Sequence, residues 1–286
     1  MDHASRNVRL LFAARMVRMF AYGLLGVVLV LYLIERGLDE AAVGLLLTGT
    51  FLGDAAISLW LSTHADRWGR RRALLAGAAL MAGGGALMAA TGSFVGLLLA
   101  ATIGVISPTG NEVGPFLAVE QAGLAQVVPD ARRTHFFAWY NLAGYAATAL
   151  GALAAGLLSQ ALQHAGASAL ASYATLFWLY GALGLVIAAL VAQLDEGVEA
   201  PAAARAITGK ALFGLRESRG IVLRLSALFA LDAFAGGFIV QSFLAYWFHV
   251  RFGAGRRRWA RCSSAPTSCR ACRRWPPCRW RAASAW

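Results

Sequence analysis

Charge is scarce in this sequence, and most of the excess has one sign. Only 14% of the 286 residues are charged and 59% are apolar, which excludes an ordinary water-soluble globule, where about a quarter of residues carry charge. Lysine is nearly missing, with Lys210 alone against 25 arginines, a bias of G+C-rich bacterial genes. Cysteine is absent from the first 261 residues, since Cys262, Cys269, Cys272 and Cys278 all lie beyond them. That absence excludes a disulfide framework or a thiolate metal site in the body of the chain. Acidic residues are absent from Arg251 to Trp286, where ten arginines stand alone. The first 250 residues hold 16 basic against 14 acidic side chains. The formal charge of +12 is therefore a property of the tail, and a nucleic-acid-binding body is not expected.

What the sequence does have is long apolar runs. A hydrocarbon core about 30 Å thick needs roughly 20 apolar helical residues, and seven stretches qualify: Leu10 to Ile34, Ala41 to Leu61, Ala73 to Ala90, Phe94 to Val128, Phe136 to Leu162, Ala167 to Leu194 and Ile221 to Phe248. Backbone facing lipid must bond within its own segment, so these are expected to be helices of an all-α polytopic bundle. Glu35 and Arg36 end the first run with no small-x-small site after it, so it reads as a retained span and not a signal peptide. Basic residues gather before or at the start of span one and after spans two, four and six: Arg6, Arg9, Arg15, Arg18, then Arg67, Arg70, Arg71, Arg72, then Arg132 and Arg133, then Arg205, Lys210, Arg216, Arg219 and Arg224. Only Arg36 of the body falls on the other side, which places the N-terminus in the cytoplasm. The domain reading is a six-span bundle over 1–194, a cytoplasmic linker over 195–220 with a short interfacial helix around Ala211 to Leu215, a seventh span over 221–250 and an aberrant tail over 251–286.

Between the second and third spans runs Ser62-Thr-His-Ala-Asp66-Arg67-Trp68-Gly69-Arg70-Arg71-Arg72. The turn needs a residue as permissive as Gly69. Asp66 has Arg70 or exposed backbone N–H groups as donors, and the arginines sit among anionic headgroups. A generic positive turn accounts for the arginines but not for the ordered Asp-Arg-x-Gly-Arg-Arg run. This run resembles the signature of the major facilitator superfamily, matched at Asp66, Arg67, Gly69, Arg70 and Arg71, with Ser62 in place of the first glycine. The resemblance covers about residues 1 to 250. It implies a secondary transporter in a bacterial cytoplasmic (inner) membrane, built of two six-helix halves that alternate access to a small-molecule substrate, with H+ as the coupling ion. It also implies that the motif helps to close a cytoplasmic gate, its Asp and Arg engaging the opposite half. Two other family patterns are missing. The fourth span has no Arg, and Gly151 to Gly156 lacks the proline of the antiporter pattern, so efflux is favoured over facilitated uptake by a narrow margin.

Charges inside a span cost several kcal/mol unless they face a cavity or a partner. Asp54 and Glu112 either line the transport cavity or make buried interhelical hydrogen bonds. Glu120 lies nearer the cytoplasmic end and suits a gate or salt bridge. Asp232 lies mid-way along the seventh span. The run Ser107 to Pro115 sets two prolines and two glycines around Asn111 and Glu112, predicting a kink at the translocation site, with a kink that serves packing alone as the alternative. Arg15 and Arg18 are expected to snorkel to the headgroups. Tyr140, Asn141 and Gln241 are minor cavity candidates, and the glycines Gly83 to Gly85 suggest close helix contacts. No nucleophile–base pair or metal-site spacing is legible, so neither an enzyme nor a cofactor is expected. The competing class is a non-transporting membrane receptor or assembly partner.

The tail spacing Cys269-x-x-Cys272 fits no common four-ligand pattern. Ten arginines beyond a seventh span also oppose the charge rule that the other loops obey. Read across codon boundaries, every residue that precedes Cys or Trp becomes Leu, Met or Val. A frameshift beginning between Arg251 and Trp259 is therefore expected, and with it a chain of one half plus one helix that transports little or nothing by itself.

Overall fold

The computed structural model describes residues 3–107, 116–129, 133–199, 219–236 and 246–247. Among these residues the chain is helical and has no strand. The order is α1 (His3–Glu35), α2 (Glu40–Trp68), α3 (Arg70–Ala90), α4 (Phe94–Ile103), α5 (Phe116–Val127), α6 (Arg133–His164), α7 (Ala169–Val191), a 3-10 turn (Glu196–Val198) and α8 (Arg219–Gly236). The chain divides into a unit from Met1 to Phe243 and another from Leu244 to Trp286, of which only the helical pair Tyr246 and Trp247 is described. The linker helix around Ala211 to Leu215 and the whole tail, with its frameshift reading, lie outside the described residues.

Helix ends follow local chemistry. The C-terminus of α1 closes on Gly37 at φ +88°, whose N–H donates to Ile34 while that of Leu38 donates to Leu33, a left-handed cap that favours glycine. Asp39 then caps α2, accepting from the N–H of Ala42 at 2.8 Å. Ser93 and Ser168 cap α4 and α7 in the same way, satisfying donors that a helix start leaves open.

Among the described residues, five helices are long and apolar enough to cross a membrane: Arg6–Glu35, Glu40–Ala65, Arg70–Ala90, Arg133–His164 and Ala169–Val191. The predicted fourth span is present as the two shorter helices α4 and α5 on either side of residues 108–115, which lie outside the described residues. The seventh is α8, whose residues 220–235 are all exposed apart from half-buried Val222. Its 18 residues include Arg224 and Asp232.

Two closely packed pairs organise the bundle, α1 against α6 and α3 against α7, with α1 also packed on α7. Small residues permit this. A Cβ at Gly23 would stand 2.0 Å from the carbonyl oxygen of Thr148, and one at Gly151 would stand 2.0 Å from that of Phe20. Gly85 meets the backbone of Phe177 and Gly181. Gly84 meets Gly104 on α4. Gly83, expected in the same contact, faces open space. In a bilayer, where lipid tails are as apolar as leucine, such backbone approach supplies the packing that holds helices together.

The ends of the helices sort by charge. Arg6 lies 4.0 Å from Asp195, and Arg70 and Arg71 reach residues 192–199 after α7. Arg133 closes the α5 to α6 turn on the carbonyls of Ala125 and Val128. At the other end Arg36 donates to the hydroxyl of Tyr32 and, at 3.2 Å, to the carbonyl of Ala89, while Tyr32 donates to Met88.

Candidate functional site

Arg15 and Arg18 do not reach headgroups. Arg18 is fully buried and Arg15 is 4% exposed, because α1 runs through the middle of the bundle. Arg18 forms a bidentate pair with Glu120 on α5, Nη1 to Oε1 at 2.5 Å and Nη2 to Oε2 at 2.7 Å, with both side chains fully buried. Tyr140 on α6 donates its hydroxyl to Glu120 Oε2. The Arg18 guanidinium lies 4.5 Å from the ring centre of Phe116. The Arg15 guanidinium stacks 3.9 Å over the Tyr140 ring and donates to Asn141 Oδ1 at 3.1 Å. Gly144 makes room for it, since a Cβ there would stand 2.8 Å from Arg15 Nε. Three helices therefore converge on one carboxylate, which two of them hold by hydrogen bonds. Buried charges are tolerated on these terms, paired and with further bonds to the remaining lone pairs.

Tyr140 is thus a buried member of this group, whereas Asn141 is exposed. Replacing Tyr140 with Phe removes one hydrogen bond to a buried charge. It should lower thermal stability by about 1.5–3 kcal/mol, measured as the loss of monodisperse protein on heating in detergent.

A second irregular feature lies where the fourth span was expected to kink. Helix α4 ends at Ile103 and the backbone leaves the helix at Gly104, just ahead of the prolines, which lie outside the described residues; a proline at 108 would in any case free the carbonyl of residue 104. Val105 adopts φ +51°, a conformation that a β-branched residue rarely takes. The released carbonyls are not open. Tyr180 on α7 is fully buried and donates to the carbonyls of Val105 at 2.9 Å and Gly104 at 3.3 Å. Irregular backbone at this depth persists when protein groups satisfy it. Tyr180 packs beside Tyr22, and Asp54 is half-buried on α2. Asn111, Glu112 and Gln241 lie outside the described residues. Asp232 is exposed on α8.

The loop motif is mostly helix. Helix α2 continues two turns past Leu61 to Trp68, with half-buried Ser62 and exposed Arg67 on it, and the turn is Gly69 alone at φ +102°. The side chain of Asp66, for which Arg70 or exposed backbone N–H groups were the expected donors, lies outside the described residues. The carboxylate of Glu199 accepts from the backbone N–H of Arg70 at 2.8 Å and of Arg71 at 3.1 Å. Glu199 was missed because it lies 129 residues from Arg70, in a stretch that reads only as polar linker. The segment 195–199, placed in that linker, is fixed to the bundle.

The sequence model of the Major Facilitator Superfamily matches residues 11–265. The chain is 30% identical over 280 residues to an uncharacterized membrane protein of Saccharomyces cerevisiae, an alignment that covers 88% of this chain and 62% of that protein. The chain thus spans about 62% of the length of this curated relative.

Proposed function

Because the chain belongs to the major facilitator superfamily, we propose that it works in proton-coupled movement of a small molecule across the bilayer, with Glu120 as the coupling carboxylate. A multi-pass helical membrane protein of this transporter family is the premise. The substrate class, the coupling ion and the direction are the proposal. The observation that carries it is the buried Arg18–Glu120 pair closed by Tyr140. A charged pair at this depth is costly to keep for stability alone, since apolar side chains of similar volume do as well or better. What an ion pair offers beyond packing is a state that depends on one proton. With Glu120 charged, Arg18 ties α1 to α5. With a proton on Glu120 the charge-assisted bidentate bond is lost and the tie between α1 and α5 is loosened. Two arrangements of one packed core, chosen by protonation, are what alternating access requires.

The gathering of arginines at one end of the bundle supports a cytoplasmic N-terminus in a bacterial inner membrane. Efflux is preferred over uptake by a narrow margin only, because the Gly151 to Gly156 run in α6 lacks the proline of the antiporter pattern. Because the chain by itself is expected to transport little or nothing, the test uses everted vesicles carrying a version with the reading frame restored between Arg251 and Trp259, an imposed pH gradient and ethidium as probe. Gradient-driven ethidium movement is expected, and Glu120→Gln should reduce it at least about a hundredfold, leaving only flux that ignores the gradient. Gradient dependence that survives in Glu120→Gln would remove the coupling role from this residue.

A further inference from the structure

The stretch that leaves α7 is bound at three separate places. The N–H of Asp195 donates to Asn7 Oδ1 on α1 at 3.2 Å. Val198 is fully buried, and its side chain fills the notch at Gly123 on α5, where a Cβ would stand 2.7 Å from it. Glu199 accepts from the first two backbone N–H groups of α3. The loop motif adds two side chains to the same task, Arg70 donating to the carbonyl of Val198 at 3.2 Å and Arg71 to that of Ala192. These last contacts form a reciprocal clasp. A helix start presents unbonded N–H groups and a positive dipole end, both of which favour a carboxylate. In return the arginines take the carbonyls that α7 and the turn after it leave open. Gly69 is required for the fit, because a Cβ there would stand 3.1 Å and 3.2 Å from the two carboxylate oxygens.

We infer that Glu199 is a latch holding the stretch after α7 on the loop motif, so that residues 192–199 move with the helices they touch. The motif then has a duty within its own half, separate from any contact with an opposite one. The inference does not depend on which solute is carried or on proton coupling. As a carboxylate at the N-terminus of a 21-residue helix, Glu199 is set to act as this latch.

Amide hydrogen exchange of the full chain in nanodiscs reads the latch directly. In the wild type, the amides of Arg70 and Arg71 and of residues 195–199 should be protected. In Glu199→Ala they should exchange at least about tenfold faster, with an intermediate rate in Glu199→Gln, which keeps a neutral acceptor. Residues 20–24, in the contact between α1 and α6, report whether the bundle is intact and should not change. Should Glu199→Ala fail to fold, Glu199→Gln alone decides the matter. Wild-type residues 195–199 that exchange at the unprotected rate, or rates at Arg70 and Arg71 unmoved in either variant, would overturn the latch.

Discussion

Replacing Glu120 with Leu should destabilise the protein by about 3–5 kcal/mol, because it leaves the Arg18 guanidinium buried with its carboxylate gone. Arg18 and Glu120 are both fully buried, so neither water nor a headgroup is at hand to substitute, and Tyr140 loses its acceptor as well. The effect should appear as a drop in the temperature at which the protein in detergent ceases to be monodisperse. The informative companion is the triple replacement Arg18→Met, Glu120→Leu and Tyr140→Phe, which removes both charges and the dependent hydroxyl together. Stability should return most of the way to wild type, since buried ion pairs contribute little over apolar residues of like size. Gradient-driven flux should not return. Recovery of stability without coupling would separate the two roles of the group. A triple variant as unstable as the single one would mean that Arg18 and Glu120 are structural requirements of the fold.

The second large effect is expected where α1 and α6 touch. Gly151→Leu places a Cβ 2.0 Å from the carbonyl oxygen of Phe20, a backbone atom that cannot rotate aside. The helices must separate along their contact, at a cost of about 3 kcal/mol or more. Gly83→Leu is the matched control, since a Cβ there meets nothing within 4 Å. It should leave stability within about 0.5 kcal/mol of wild type. Equal behaviour of the two variants would contradict the α1 to α6 contact.

These two sites show how unevenly the structure could be read from residues alone. Gly83, Gly84 and Gly85 are indistinguishable in composition, yet Gly84 and Gly85 meet neighbouring backbones while Gly83 does not. A helix turns about 100° per residue, and adjacent glycines face different neighbours. Arg15 and Arg18 stand at the start of a span, where a long cationic side chain ordinarily reaches headgroups. They stay buried because α1 is surrounded and a carboxylate on α5 is in reach. The fourth span was expected to kink over Ser107 to Pro115, most of which lies outside the described residues; what the sequence did not show is that Tyr180 of a different helix donates to the carbonyls freed at Gly104 and Val105.

By itself, the order of residues determined the medium, the helical class, the approximate bounds of five of the seven expected spans, the basic end of the bundle and the family-bearing turn at Gly69. Each of these depends on chemistry within about 20 neighbouring positions: apolar length against bilayer thickness, charge against headgroups, and backbone freedom at one turn. Tertiary structure alone decided the partners. Glu120 meets Arg18 across 102 positions and Glu199 meets Arg70 across 129, and nothing in either local sequence distinguishes these carboxylates from other acids near a membrane face. Pairing is settled by which helices lie side by side, and that follows from the sum of many backbone approaches and not from any one residue. The physical reason is that a buried charge has to be satisfied by whatever the packing brings within about 3 Å, whereas a span requires only to be apolar and long enough.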